Sequence, residues 1–151
     1  MRKRILTLCI IHKDSKILLG MKKRGFGTGF WNGFGGKVKK GESIEEAAKR
    51  ETKEEIGVVP LDLKKMGILR FQFKGELEIL EVHVFSCSNF VGEIKETEEM
   101  MPKWFKIEQI PFNQMWPDDK YWLPLLLEGK NFRGKFYFEG RKLVDYQIET
   151  E

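Results

Sequence analysis

The sequence predicts one domain of mixed α/β class, and three observations support this. The chain has 151 residues, a length that suits one domain with its own core. Short apolar runs bounded by turn residues recur along it, which is the pattern of strands. Two longer segments carry helical periodicity with start or stop signals. No repeat, linker or low-complexity segment interrupts these elements, so the reading is a single domain over residues 1–151.

The elements follow in chain order. Residues 5–11 and 16–21 read as strands around a turn at Lys13-Asp14-Ser15. Residues 24–36 are rich in glycine and aromatics and do not suit a helix. A helix is predicted over 43–56, opened by a capping box of Ser43 and Glu46 and stopped by Gly57. Strand patterns follow at 65–73 and 78–86, with a shorter one at 103–106. A second helix is predicted over 119–127. Residues 134–139 and 142–148 form a closing hairpin around Gly140-Arg141.

Composition narrows the class of protein. Hydrophobic residues make up 41% of the chain and aromatics 13%, which excludes disorder. The formal net charge is +4; such a field attracts phosphate-bearing ligands without naming one, and solubility alone also explains it. Cys9 and Cys87 lie in strand-like runs without C-x-x-C spacing or a nearby His cluster. That argues against a zinc site and leaves buried, reduced thiols as the expectation over a disulfide. No stretch reaches the length of a membrane span. The basic Met1-Arg2-Lys3-Arg4 precedes a short apolar run that lacks a small-residue cleavage site, so a signal peptide is rejected and a cytoplasmic location expected.

The first helix departs from its own pattern. At about 100° per residue, Ile44, Ala47, Ala48 and Val58 form an apolar stripe. Glu51 and Glu55 fall within about 20° of the centre of that stripe, and Glu54 lies at its edge. Carboxylates at i, i+3 and i+4 are thereby predicted to converge, which is costly at a partly buried place unless a cation compensates. A hard divalent ion does so, and Mg²⁺ is the usual one where phosphate completes the shell. The competing reading is a solvated acidic face paired with Lys49, Arg50 and Lys53. It accounts for Glu45 and Glu46 but not for glutamates on the apolar side.

The segment around this helix resembles the Nudix box, G-x5-E-x7-R-E-U-x-E-E-x-G-U with U aliphatic. Gly36, Glu42, Arg50, Glu51, Glu54, Glu55, Gly57 and Val58 stand at its fixed positions. The one departure is Thr52 at an aliphatic position, which faces packing and not the metal. The resemblance implies an α/β/α sandwich whose box forms loop–helix–loop, and hydrolysis of a nucleoside diphosphate linked to another group. It further implies Glu51, Glu54 and Glu55 as catalytic metal ligands, joined by the Gly36 carbonyl. Arg50 would orient the glutamates and Glu42 would support the loop or the metal shell. The cofactor implied is Mg²⁺, with Mn²⁺ as a substitute.

Segments outside the box extend the resemblance. Residues 19–27, 31–37, 82–85, 99–100, 104–105 and 115–122 are similar to the branch of the family that hydrolyses oxidised purine nucleoside triphosphates, the MutT homologues. The base pocket of that branch maps onto Thr7, Phe26, Asn32, Phe71 and Phe73 on one side. Trp116, Pro117, Asp118, Asp119 and Trp122 supply the other. Lys22, Phe34, Gly35, Gly36 and Lys37 would also line the substrate site, and Glu99 would match a further metal-site carboxylate. Leu80 stands where Met is expected in that branch.

The side chains themselves suit a purine. Trp116 offers a face for stacking, and Asn32 offers a donor and an acceptor. Adjacent Asp118 and Asp119 can read N–H groups, and one held neutral by the other can donate as well. The competing reading makes Asp118 the cap of the second helix and Asp119 a charge at its positive end. His12 and His83 have no evident partners and are assigned structural or surface roles. The expectation is a monomeric pyrophosphohydrolase acting on a free nucleotide, with no stable nucleic-acid complex and no membrane. The alternatives are a Nudix hydrolase acting on ADP-ribose or dinucleoside polyphosphates, and a non-catalytic nucleotide- or RNA-binding module.

Overall fold

The computed structural model describes residues 2–151; Met1, the first residue of the basic tetrapeptide, lies outside them. Ten strands and two helices follow one another along the chain. They are β1 (Arg2–Lys13), β2 (Lys16–Lys22), β3 (Trp31–Asn32), α1 (Ile44–Ile56), β4 (Val59–Pro60), β5 (Lys64–Phe73) and β6 (Glu78–Cys87). After these come β7 (Phe90–Val91), β8 (Met100–Lys106), α2 (Asp119–Leu127), β9 (Phe132–Glu139) and β10 (Lys142–Thr150). The main sheet runs in the order β10-β9-β5-β6-β1-β2-β3, with β8 also paired to β2; β4 and β7 form a small second sheet. The sheet is mixed, because β1 pairs with β6 and β5 with β9 in parallel while the other ladders are antiparallel.

Alternation along β1 sends successive side chains to opposite faces. Cys9 and Ile11 join Leu18, Phe34, Ile56, Val58, Cys87 and Met100 on the side where α1 packs. Ile10 joins Leu69, Val84 and Phe136 with Trp122, Leu123 and Leu126 of α2 on the other side. The result is a helix layer on each face of the sheet, the α/β/α arrangement expected.

Local signals explain the elements. Asp14 and Ser15 both adopt positive φ, 53° and 63°, so a two-residue turn joins β1 to β2. Ser43 accepts the Glu46 backbone N–H on its hydroxyl at 3.1 Å. Gly57 is left-handed at φ 84°, returning its N–H to Lys53, so α1 starts and stops where predicted. Thr52 is fully buried, and its hydroxyl donates to the Ala48 carbonyl at 2.7 Å; its own helix satisfies the polar atom at this packing position. Cys9 and Cys87 are buried free thiols.

Several expectations change. β8 begins three residues early, at Met100. The two-residue strands β3, β4 and β7 are too short to show a period. Both histidines have partners: His12 Nε2 lies 2.7 Å from Ser86 Oγ and His83 Nε2 lies 3.0 Å from Glu81 Oε2.

The connection after β3 positions the site. β2 pairs with β1 only through Leu18 and with β3 at Gly20 and Met21, while β8 lies along its whole length. Segment 34–38 takes its place beside β1. Cys9 N–H donates to the Phe34 carbonyl at 2.6 Å, Thr7 N–H to Gly36 at 2.8 Å, and Val38 N–H to Ile5 at 3.1 Å. A Cβ on Gly35 would overlap the Thr7 carbonyl oxygen, so only glycine allows this approach. Gly35→Ala is therefore expected to lower stability by about 2–3 kcal/mol or to prevent folding. Urea unfolding of the purified variant measures this, and an unchanged midpoint would refute the close-approach argument.

Candidate active site

A cavity of about 790 Å³ opens beside this segment. Leu6, Thr7 and Leu8 of β1, Phe71 and Phe73 of β5, and Leu80 and Val82 of β6 contribute to its sheet side. Asn32, Gly33, Gly35, Gly36 and Lys37 form one rim, with Lys22 and Glu55 beside them. Trp116, Asp118, Asp119 and Trp122 close the opposite side.

Aromatic rings surround Trp116. Phe26, although 69% exposed, stacks on it with centroids 5.1 Å apart and planes 28° apart. Phe30, Phe73 and Phe138 meet it edge-on at 5.1, 6.1 and 5.7 Å. These contacts hold the indole at one angle, which suits a slot for a flat ring.

The aspartate pair is buried at the same end, each residue 3% exposed. Trp122 Nε1–H donates to Asp118 Oδ2 at 2.8 Å. Asp118 has helical φ/ψ and its side chain makes no cap bond, so the capping reading fails for it. Asp119 Oδ2 is buried without a hydrogen-bond partner among the described residues, which is costly unless a ligand or proton serves it. Burial pushes the Asp118 carboxyl up to about 6 against the pull of Trp122 and Asp119. Burial, then the Asp118 charge beside it, pushes Asp119 well above the ordinary carboxylate range. The pair therefore retains a proton toward neutral pH and presents a donor together with acceptors. Asn32 is held by its neighbour, accepting Gly33 N–H on Oδ1 at 2.8 Å.

Glu55 lines the cavity beside Lys22, and the box glutamates around it are gathered less tightly than helix geometry predicts. Among the described residues no three acidic, His or Cys side chains form a ready metal cage. Each carboxylate has turned to a nearer positive group. Glu51 and Glu54 take Arg50 Nη1 at 2.7 and 3.3 Å. Arg50 also binds Glu42 Oε1 and the Lys37 carbonyl, both at 3.0 Å, and so fastens the loop to the helix. Glu55, 5% exposed, accepts Gly35 N–H at 2.8 Å. Lys22 Nζ sits between Glu55 Oε2 at 3.9 Å and Glu99 Oε2 at 3.8 Å.

These residues fit a divalent cation. Burial drives the Glu55 carboxyl up to about 8, opposed by Gly35 N–H and Lys22 and aided by the Glu51 and Glu99 charges; a bound cation reverses such a penalty. A Cβ on Gly36 would lie 2.6 Å from the Glu51 carboxyl carbon, so the absence of a side chain brings that carboxylate against the Gly36 backbone. The Gly36 carbonyl accepts one hydrogen bond, from Thr7, and keeps a second lone pair.

Not every expected residue reaches the cavity. Phe34 is fully buried in the core under α1; alternation along its segment turns it away from the face that its glycine neighbours present. Pro117 is absent from the cavity wall, as are Arg50, Glu51, Glu54 and Glu99, which sit behind Lys22 and Glu55. Phe138, Met100 and Arg141 line it unexpectedly. Only the alternation of Phe136 and Phe138 in a predicted strand could have flagged the first.

A box loop bound to β1, a helix carrying the glutamates and a sandwich around them define a class. The NUDIX domain model matches residues 1–126, and the chain belongs to the Nudix family. Within that family it is 51% identical over 141 residues to the oxidized purine nucleoside triphosphate hydrolase of Danio rerio, covering 93% of this chain and 90% of that one. It is 50% identical, with the same coverage, to the protein of that name from Mus musculus. Among solved structures, a MutT protein from Bacillus halodurans superposes with a TM-score of 0.87 at 27% identity, covering 97% of both chains.

The aspartate pair predicts a pH signature of stability. Asp118 has a folded value of about 6 against an ordinary 3.8. The folded state thus binds more protons than the unfolded state between these values, and stability falls as pH rises through that window. Asp119→Asn removes one of the two buried acids. Its melting temperature relative to wild type should rise by several degrees from pH 4 to pH 7. A difference that stays constant with pH would refute the proton-retaining pair.

Proposed function

We propose that the chain hydrolyses oxidised purine nucleoside triphosphates to the monophosphate and pyrophosphate, with Mg²⁺ as the family's divalent ion. The observation that supports this reading is one cavity lined by Trp116, a proton-retaining aspartate pair and Glu55, the box glutamate that reaches it. An oxidised purine presents altered donors and acceptors on a flat ring. An acid pair that can donate and accept matches such an edge, and Asn32 can meet another. The names of the Danio rerio and Mus musculus relatives point the same way.

The parts have distinct tasks. Trp116 holds the ring face, and Asp118 with Asp119 reads its edge. Lys22 and Lys37 bring positive charge toward the triphosphate. Glu51, Glu54 and Glu55, with Glu99 and the Gly36 carbonyl, would hold the cation, which neutralises phosphate charge and lowers the pKa of water. A carboxylate of this set takes the proton of the water that attacks the β-phosphorus; the bond from that phosphorus to the α–β bridging oxygen breaks, the nucleoside monophosphate leaves, and the water oxygen ends in pyrophosphate. Arg50 keeps the set in place through Glu42, Glu51 and the Lys37 carbonyl. The reading includes a monomer working on free nucleotides in the cytoplasm.

Pyrophosphate release from normal and oxidised purine triphosphates, ADP-ribose and a dinucleoside polyphosphate, with and without Mg²⁺, tests the proposal. Turnover should require the ion and favour oxidised purines. Glu55→Gln should lose activity by orders of magnitude while staying folded, as expected for a lost metal ligand. Glu46→Gln, exposed on the other flank, should be near wild type. Equal activity in the two variants would remove the metal assignment.

Recognition has its own check. Replacing a buried, charged hydrogen-bonding partner should lower selectivity by roughly one to two decades. Asp119→Asn should therefore lose kcat/KM for an oxidised purine triphosphate far more than for unmodified dGTP. A uniform loss across all nucleotides would leave the pair without a role in choosing the base.

A further inference from the structure

Trp116 is approached from two directions by the β9–β10 hairpin. Phe138 of β9 meets it edge-on. Beyond the turn, Arg141 reaches over it, with the guanidinium carbon 5.5 Å from the indole centroid and 4.3 Å from that of Phe30. The same guanidinium donates from Nη2 to the Thr28 carbonyl at 3.0 Å, across 113 positions of sequence. One exposed side chain therefore contacts the indole, a ring beside it and the backbone of the glycine-rich loop that carries Phe26.

That loop needs an external hold. Gly25, Gly27 and Gly29 all adopt positive φ, 81°, 87° and 88°, and glycine gives the unbound chain many other conformations. Its own ties stay within the loop and its stem: Thr28 N–H and hydroxyl to the Gly25 carbonyl, Phe30 N–H to Gly27 at 3.0 Å, Gly29 N–H to the Lys22 carbonyl at 3.1 Å and Lys22 N–H to the Phe30 carbonyl at 3.2 Å. It lies directly against Trp116, since a Cβ on Gly27 would come within 3.3 Å of indole Nε1. A planar guanidinium suits the position, because it can cover ring faces and hydrogen-bond a carbonyl at once.

We infer that Arg141 is a positioning residue for the base slot: it latches the glycine-rich loop to Trp116 and so sets the width of the opening that a purine enters. Among the described residues it makes no hydrogen bond or ion pair with the glutamates or Lys22. Its effect falls on binding of the base and not on the phosphate chemistry. The inference rests on the reading of this cavity as a purine site, and the test separates the two.

Two measurements are made on Arg141→Ala, Arg141→Lys and wild type. The first is amide hydrogen exchange of the ligand-free protein. Peptides covering 25–30 should exchange roughly tenfold faster in Arg141→Ala, with Arg141→Lys intermediate because a lysine keeps the charge but not the plane. The second is steady-state kinetics on an oxidised purine triphosphate. KM should rise roughly three- to tenfold with kcat within about twofold, the scale of a few weak contacts, and the melting temperature should stay near wild type. Phe30→Leu, which removes the ring under the guanidinium without touching Arg141, should reproduce both effects in milder form. Unchanged exchange, faster exchange with unchanged KM, or a loss confined to kcat would each overturn the latch. A wild-type enzyme inactive on oxidised purines would overturn the proposed substrate instead, and the exchange comparison would still decide the latch.

Discussion

The structure depends on one close backbone approach. Where β2 leaves β1, segment 34–38 lies along the vacated strand, with Gly35 against the Thr7 carbonyl. Four backbone hydrogen bonds link it there, two between Cys9 and Phe34, one to Thr7 and one to Ile5. From this anchor the chain presents the Gly35 N–H to Glu55 and places Gly36 under the Glu51 carboxylate. The residues just before it, Asn32 and Gly33, form part of the cavity rim. The glutamate side of the site and the adjoining rim are therefore fixed by one short piece of backbone, and side-chain positions there follow from the register of β1.

Charge is arranged around that anchor in two groups. Arg50 is shared by Glu42, Glu51 and Glu54, and Lys22 by Glu55 and Glu99. Like charges tolerate this proximity because each has a cation within reach. At the far end the solution differs, because no cation pairs with Asp118 or Asp119 among the described residues and burial favours keeping a proton on the pair instead. The two ends thus keep carboxylates buried by different means, one suited to gripping a metal ion and the other to exchanging hydrogen bonds with a neutral ring.

Much of this was legible in the residues. Ser43, Gly57 and the spacing of Ala47 and Ala48 defined α1, because caps and a 3.6-residue period are local signals. Glu51 and Glu55 stood out because they broke that period. Their contacts with Arg50 and Gly35 were not readable, since side-chain directions depend on the loop brought against them. Phe34 misled because its glycine neighbours all face the cavity, and only the strand-like alternation of the bound segment turns it inward. Asp118 was ambiguous for a chemical reason: the same residue at the same place serves a helix end or a ligand, and only its missing cap bond separates the two. Arg141 sits in a hairpin turn, where an exposed arginine carries no signal until the fold brings Thr28 and Trp116 beneath it.

The parallel pairing of β1 with β6 has a consequence for how the molecule comes into being. His12 and Ser86 are hydrogen-bonded across 74 positions, and β9 joins β5 in parallel only after α2 has been made. Ladders of such long range close late and slowly, since loop entropy must be met before they form. During synthesis β1 emerges before β6 and waits, unpaired on that side, until residues 78–87 have followed. A chain that ends before β9 lacks the Phe138 and Arg141 part of the cavity wall and leaves β5 unpaired on that edge, so the newborn chain passes through a stretch of exposed apolar strand before the cavity is complete.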